Sequence, residues 1–238
     1  MGCYKGNCNK CLEHILHNQN PSFHYPCNRI TYYYPLKFFD RFASEIKRFF
    51  LYTKLNKSDY YFVSLGCGPG SELYGLVDGM RHCLGNNFTL KYRGYYNEPI
   101  WKEIQDVSKA NFFNSNCDVD FYATDMFANW QDDPNASIDV LVMNYLLSDS
   151  QKYMSKNGTL LPFLDSIVDF IIQHKVPILM CNDISYYGYY ALDSGVKCMD
   201  YIINKIAPFA KKVRPVKIYY PGDPCVPNGW DYSWHDSN

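Results

Sequence analysis

The chain lacks both the long apolar run of a membrane-spanning helix and an excess of charge of one sign. No stretch approaches the ~20 consecutive apolar residues that cross a bilayer, and the first residues lack the apolar core of a signal peptide. Twenty-three basic side chains stand against 24 acidic ones, which gives a net charge of −1. We therefore expect a cytoplasmic protein with no membrane partner and no strong general affinity for nucleic acid.

Cysteine is not scarce, and four of the ten cysteines cluster near the start of the chain. Residues 1–34 are otherwise polar and have no apolar core of their own, so we interpret them as a small module that a bound metal would stabilise. The spacing Cys3-x4-Cys8-x2-Cys11-x15-Cys27 suits a tetrahedral zinc ion. An iron–sulfur cluster and plain reduced thiols are the alternatives.

Two kinds of apolar pattern alternate along residues 35–238 and predict a doubly wound α/β domain. Helical spacing begins at Pro35 and runs to about Leu55, with residues 32–34 extended before the proline. Five strand-like segments then alternate with helices, which is typical of a mostly parallel sheet. Two further strand-like pieces near the end are joined too closely for a crossover helix, so they should pair antiparallel. These pieces lie at 216–220 and 229–234.

A glycine-rich turn follows the first of these strands. The sequence YFVSLGCGPGSE at 61–72 places Gly66, Gly68 and Gly70 between an apolar run and an amphipathic one. Glycine lets the backbone approach a flat ligand, and the helix that follows begins with unpaired N–H groups. The dinucleotide-binding fingerprint would place a glycine at position 71, where serine stands. A nucleotide-using α/β enzyme of another class, such as an oxidoreductase, is one alternative, although the missing glycine at position 71 counts against it.

The pattern Gly66-x-Gly68-x-Gly70, with Glu72 behind it, resembles motif I of the class I S-adenosylmethionine (SAM)-dependent methyltransferases. The order of strands and helices over residues 35–238 is also similar to that of the family. The resemblance implies SAM as cofactor and a Rossmann-like fold, whose mostly parallel seven-stranded sheet ends in an antiparallel strand pair. A catalytically silent module that binds SAM or a partner is a further alternative.

The resemblance also implies a cofactor contact after each of the first four strands. These contacts are Gly66, Cys67, Gly68, Gly70, Glu72, Glu98, Asp125, Met126 and Asn144. Glu98 is the carboxylate nearest to the position that binds the ribose hydroxyls, although that position itself falls closest to Tyr96. Asp125 and Met126 match the pair that contacts adenine. On chemistry alone, Glu98 could instead be a favourable charge at a helix start, and Asp125 a helix cap.

The candidate catalytic residues follow the fourth and fifth strands, at the edge where ligands bind in this architecture. They are Asn144, Tyr145 and Asp183, with Asp149 as the alternative to Asp183 if a general base is used. Relatives that methylate nucleic-acid amines often carry Asn/Asp-Pro-Pro-Tyr/Phe after the fourth strand, where this chain has Asn144-Tyr-Leu-Leu. The resemblance therefore disfavours adenine and cytosine amines by that mechanism, and it leaves a protein, an RNA or a small molecule as the acceptor.

Overall fold

The computed structural model describes residues 6–17, 28–52, 55–112, 116–183, 194–210, 216–218 and 234–236. In chain order the regular elements are helices α1 (Cys8–His17) and α2 (Asn28–Tyr52), strand β1 (Asp59–Leu65), α3 (Ser71–Leu84), β2 (Thr89–Tyr96), α4 (Lys102–Phe112), β3 (Cys117–Ala123), β4 (Val140–Asn144), α5 (Leu147–Met154), α6 (Leu160–Gln173), β5 (Ile178–Asn182), α7 (Ser194–Ile206), β6 (Val216–Ile218) and β7 (Trp234–Asp236). Among the described helices, none is both long and apolar enough to cross a membrane.

The central sheet has five parallel strands in the order β3-β2-β1-β4-β5. The predicted α/β architecture with a parallel sheet is therefore confirmed. Strands β6 and β7 pair antiparallel, as predicted, but they form a separate two-stranded sheet. The prediction of a single seven-stranded sheet is thus wrong for the residues described. Strand β7 begins at Trp234, the last residue of the predicted piece 229–234, whose other residues lie outside the described ones. Each of these two strands has only three residues, and the two strands pair with each other.

The side chains of β1 alternate between two separate cores, one on each face of the sheet. Tyr60 and Phe62 pack with side chains from α2 and α3. Tyr61, Val63 and Leu65 pack with side chains from α5, α6 and α7. Successive side chains of a strand point to opposite faces, so this near-continuous apolar run indicates a strand buried on both sides, as parallel sheets require.

Helix α2 runs through Pro35, so the prediction of an extended segment at residues 32–34 is wrong. A proline inside a helix removes one backbone hydrogen bond and costs about 3 kcal/mol. Packing on both sides of the proline offsets this cost. Ile30 is fully buried against α1, and the ring of Tyr34 lies 5.5 Å from that of Trp101. The helix also crosses the boundary predicted between residues 34 and 35.

The chain between β3 and β4 contains no helix over residues 124–139, all of which the structure describes. Trp130 instead stacks on Tyr95 of β2, with ring centroids 5.5 Å apart and an interplanar angle of 19°. Asp132 accepts hydrogen bonds from Lys91 and Arg93, each at 3.1 Å. These contacts hold an irregular segment on the sheet face that a crossover helix was predicted to cover.

Helices α2 and α3 approach each other closely at two glycines of α3. A Cβ atom on Gly75 would lie 2.1 Å from the backbone oxygen of Ala43, and one on Gly79 would lie 2.2 Å from the ring of Phe50. Only glycine allows this approach without moving one of the helices. The contact therefore fixes α2 against α3, which begins at the glycine-rich turn.

Gly75→Ala should lower the free energy of unfolding by at least about 1 kcal/mol, because overpacking a tight contact usually costs 1–3 kcal/mol. Helix propensity alone predicts the opposite sign, since alanine is favoured over glycine by about 1 kcal/mol. Urea unfolding measures the difference. The exposed His82, on the same helix, supplies the control variant His82→Ala, which should stay close to the wild type. A Gly75→Ala protein more stable than the wild type would contradict this packing.

Candidate functional site

Residues 66–70 turn the chain from β1 into α3 at the carboxyl edge of the sheet. Gly66, Gly68 and Gly70 have φ angles of 74°, 50° and 81°, which lie in the left-handed region that favours glycine. The backbone N–H groups of Gly66 and Cys67 both donate to the carbonyl oxygen of Tyr95, at 2.8 and 3.1 Å. The turn is thereby tied to the end of β2.

The three glycines have different neighbours. A Cβ atom on Gly66 would lie 2.8 Å from Cδ1 of Leu146, and one on Gly70 would lie 2.9 Å from the ring of Phe121. At Gly68, by contrast, no atom of the described residues comes within 4 Å of the Cβ position. The ends of two side chains therefore crowd the Cβ positions of the first and third glycines, whereas that of the second faces open space that a ligand could occupy.

Two buried side chains, those of Gln105 and Cys67, stabilise this turn. Gln105 of α4 is 2% exposed, and its Nε2 donates to the carbonyl oxygen of Gly68 at 2.5 Å. A lone glutamine on an amphipathic helix gives no signal in the sequence, so the analysis of the sequence missed it. Cys67 is buried against Tyr96 and Trp101. Burial raises the pKa of the Cys67 thiol well above its usual range, so the thiol is protonated at neutral pH and is not a nucleophile.

Glu72 is enclosed behind the turn, on the face of the sheet covered by α3. It is 1% exposed, and its Oε1 accepts hydrogen bonds from the hydroxyls of Ser64 and Tyr92, each at 2.8 Å. Burial raises the pKa of this carboxyl from 4.5 to about 7. In this position Glu72 fastens the first turn of α3 to β1 and β2.

The predicted nucleoside-binding residues follow β2 and β3. Glu98 is half-buried and extended, with φ −125°, at the start of the 3₁₀ turn Pro99–Trp101. Asp125 is exposed, and its Oδ1 accepts from the N–H of Phe127 at 2.9 Å, so it caps a turn rather than a helix. Met126 is 1% exposed and packs in the core on the α6 side. Of the predicted adenine pair, Asp125 is therefore the member that faces solvent.

A hydrogen-bond network joins α2 to the ends of β4 and β5. Glu45 is 5% exposed, and its Oε2 accepts from the hydroxyl of Tyr145 at 2.9 Å and from Nδ2 of Asn182 at 2.8 Å. Its Oε1 accepts from Nε of Arg41 at 2.7 Å. Nδ2 of Asn182 also donates to Oδ1 of Asn144 at 2.8 Å. The predicted pair Asn144 and Tyr145 is therefore organised by a glutamate of α2.

Sequence reasoning missed Glu45, although the sequence contains a signal for it. Glu45 lies three residues after Phe42 and next to Ile46, on the stripe where an amphipathic helix normally carries apolar side chains. Its partner Tyr145 has φ 55°, a left-handed conformation that costs a non-glycine residue of order 1–3 kcal/mol. Such strain at the end of a strand is typical of functional sites.

Two carboxylates stand beyond β4 and β5. Oδ2 of Asp183 accepts from the backbone N–H of Ser148 at 2.9 Å, at the start of α5. Burial raises the pKa of Asp149 to about 6, the charge of Asp183 acts in the same direction, and Lys152 opposes it. Asp149 can therefore gain or lose a proton near neutral pH, which is the property that a general base or acid needs.

The described part of the predicted metal module is a helix rather than a set of loops. Cys8 and Cys11 both lie on α1, and Cys11 is buried among apolar side chains of α1 and α2. Cys3 and Cys27 lie outside the described residues. Within the described residues there is no group of three or more His, Cys, Asp or Glu side chains that could hold a metal ion. These residues therefore do not support the zinc prediction.

A cavity of about 310 Å³ lies at the opposite, amino edge of the sheet. It includes three aspartates, and each of them already has a partner: Asp59 with Thr89, Asp118 with Arg93 and Asp139 with Lys57. Ligands of doubly wound sheets bind at the carboxyl edge. We therefore place the candidate site at the glycine turn.

No protein-family model and no curated protein matches the chain. Among solved structures, the human methyltransferase 10 domain containing protein is similar over 81% of this chain and 79% of its own, at 11% identity and a TM-score of 0.47. A SAM-dependent methyltransferase from Aquifex aeolicus is similar over 91% of this chain and 92% of its own, at 12% identity and a TM-score of 0.40. The trans-methyltransferase CalH, solved with S-adenosylhomocysteine (SAH), matches 71% of this chain and 43% of its own length, at 15% identity and a TM-score of 0.42. Because all three TM-scores lie below 0.5, we take the function of this chain from its own site.

Glu72→Gln should remove a pH dependence of stability. The pKa of Glu72 is about 7 in the fold, against 4.5 ordinarily, so the folded state keeps a proton that the unfolded chain releases between these values. The free energy of unfolding should therefore fall, by roughly 3 kcal/mol, as the pH rises through this window. Glutamine keeps the accepting Oε1 and cannot ionise. Urea unfolding on the two sides of the window measures the effect.

The matched control is Asp106→Asn, which removes an exposed carboxylate on α4. This variant should keep the pH dependence of the wild type. Identical pH dependence in the wild type and in Glu72→Gln would show that the Glu72 carboxyl does not titrate in this window.

Proposed function

We propose that this chain is a SAM-dependent methyltransferase. The observation that carries the proposal is the glycine turn at residues 66–70, where the Cβ position of Gly68 faces open space. This space lies at the carboxyl edge of the sheet. Asp125 and Glu98 follow the strands on one side of it, and Asn144 ends β4 on the other side. The arrangement suits an elongated ligand with a nucleoside at one end and polar groups at the other.

The nucleoside end fits the side of the site formed by β2 and β3. A carboxylate there can accept hydrogen bonds from ribose hydroxyls, and the half-buried Glu98 after β2 supports this role. Asp125 is exposed and can accept from an exocyclic amino group. A dinucleotide is supported less well, because the buried Ser71 stands where the dinucleotide fingerprint has a glycine.

SAM, when bound, supplies an electrophilic methyl group on a sulfonium. The residues of the chain then have to hold an acceptor in line with that methyl and to accept any proton it releases. Asn144 faces the methyl donor in this proposal, and Tyr145 with the aromatic side chains of α2 borders the position for the acceptor. Asp149 is the best-suited proton acceptor, because its pKa of about 6 keeps it ionised but basic near neutral pH. Asp183, predicted for that role, is already engaged by the N–H of Ser148.

For the methyl acceptor, we propose a protein, an RNA or a small molecule. An aromatic row on α2 supports an acceptor with a planar group. Phe38 and Phe42 are stacked, with centroids 5.5 Å apart and an interplanar angle of 8°. The ring of Phe42 lies 4.5 Å from that of Tyr145, at the end of β4.

Gly68→Val should abolish SAH binding, since its branched side chain would fill the open space at the turn. Gly85→Val is the matched control. Gly85 also has a positive φ of 66° and no described atom within 4 Å of its Cβ position, but it ends α3 at the other edge of the sheet. Both variants share the backbone strain, so only the difference between them reports on the ligand. Calorimetry with SAH measures the affinity, and SAH should raise the melting temperature of the wild type and of Gly85→Val.

Two results would reject the cofactor. One is an absence of binding of both SAM and SAH to the wild type at millimolar concentration. The other is a preference of the wild type for a nicotinamide dinucleotide, which would favour an oxidoreductase. Saturable SAH binding with no methyl transfer to fractionated protein, RNA or small molecules would favour the silent binding module.

Zinc on Cys3, Cys8, Cys11 and Cys27 stays a separate prediction, and elemental analysis tests it without reference to activity. We expect about one zinc ion per chain in protein purified without added metal, because four thiolates complete a tetrahedral site. Cys8→Ser should lose it. Cys198→Ser, which alters a buried thiol of α7, should not. Equal zinc content in the two variants, or none in the wild type, would reject the site.

A further inference from the structure

Glu45 fixes the direction of the hydrogen bonds among the polar side chains at the end of β4. A carboxylate can only accept hydrogen bonds, so Asn182 must present its Nδ2 to Oε2 of Glu45, at 2.8 Å. The same Nδ2 donates to Oδ1 of Asn144, also at 2.8 Å. The amide of Asn144 is therefore oriented with its own Nδ2 away from Asn182. Among the described residues that Nδ2 donates no hydrogen bond, so its two N–H donors are available to a ligand at the end of β4.

The orienting groups are buried and electrically balanced. Glu45 and Asn182 are 5% and 6% exposed, whereas Asn144 is half-buried at the end of its strand. Arg41 pairs with Oε1 of Glu45 at 2.7 Å, and its Nη2 donates to the hydroxyl of Tyr145 at 3.3 Å. This pairing offsets the charge of Glu45 and so reduces its repulsion of an anion bound at Asn144.

Asn144 stands beside the glycine turn. The parallel register of β1 and β4 pairs Leu65 with Met143, so the next residues, Gly66 and Asn144, are neighbours. Cδ1 of Leu146 lies 2.8 Å from the Cβ position of Gly66, which confirms that the two loops touch. A ligand above Gly68 that directs its nucleoside toward β2 and β3 therefore directs its other end toward Asn144.

We propose that Glu45 positions Asn144, through Asn182, to donate hydrogen bonds to the carboxylate at the amino-acid end of the methyl donor. This inference rests on the proposed function and specifies how α2 takes part in it. Asn144 is the binding residue, and Glu45 and Asn182 are positioning residues.

Asn144→Asp tests the donor role directly. Aspartate has the same shape and still accepts from Asn182, but it replaces the two N–H donors with an anionic oxygen. SAH should bind roughly 10- to 100-fold more weakly, because a charge-assisted hydrogen bond is lost and a like charge appears. The probe 5′-methylthioadenosine shares the nucleoside and thioether but has no amino acid, so its affinity should not change. Lys47→Gln, at an exposed site on α2, should leave both affinities unchanged.

These binding measurements distinguish a failure of the role inferred for Asn144 from a failure of the proposed function. Unchanged SAH affinity in Asn144→Asp, or an equal loss for SAH and 5′-methylthioadenosine, would overturn this inference while leaving the proposed function intact. Failure of the wild type to bind SAH would reject the proposed function itself.

The double variant Glu45→Gln/Asn182→Asp tests the positioning role. It keeps the charge and the hydrogen bonds but reverses their direction, because glutamine at 45 donates to aspartate at 182, which then accepts from Nδ2 of Asn144. Glu45→Gln alone should lower the melting temperature, and the second substitution should restore it. SAH binding should stay weak in the double variant, because Asn144 then presents its oxygen to the site. Recovery of the melting temperature together with wild-type SAH affinity would show that the role of Glu45 is structural only.

Discussion

The turn at residues 66–70 is the constraint on which the rest of the site depends. The chain has to leave β1, satisfy the carbonyl oxygen of Tyr95 at the end of β2 with two N–H groups, and enter α3 at once. Positive φ angles make this possible, and the close approach of Leu146 and Phe121 removes room for side chains at Gly66 and Gly70. The result is a turn whose backbone is fixed by its own hydrogen bonds and by the side chains packed around it.

Helix α2 adds the second half of the site. Gly75 and Gly79 bring it against α3 closely enough that its polar and aromatic side chains reach the ends of β4 and β5. The same helix thus fills the core with Ile46 and Phe50 and sends Glu45 to the carboxyl edge. A buried carboxylate with several hydrogen bonds contributes little net stability, because the cost of desolvating it is large. Its value lies in fixing the orientation of the amides and the hydroxyl around it.

Local sequence patterns predicted the parallel sheet and the position of the glycine turn. Apolar runs and glycine spacing both involve residues that are close together in the sequence. The rule that ligands bind at the carboxyl edge of the strands also located Asn144, Tyr145 and Asp183 at that edge. Glu45 and Gln105 escaped prediction because their partners are far away in the chain and become neighbours only in the fold. The helix through Pro35 escaped prediction because the packing of Tyr34 overrides the local preference. The general alternation of strands and helices implied a helix before β4, but no helical pattern of residues 124–139 supported it, and Trp130 packs on the sheet there instead.

The most direct test of the central claim is a crystal structure of the full chain grown with SAH. The account predicts density for SAH above Gly68, with the adenosine toward Asp125 and the carboxylate within hydrogen-bond distance of Nδ2 of Asn144. A bare glycine turn at saturating SAH, or SAH bound instead at the amino edge of the sheet, would contradict it.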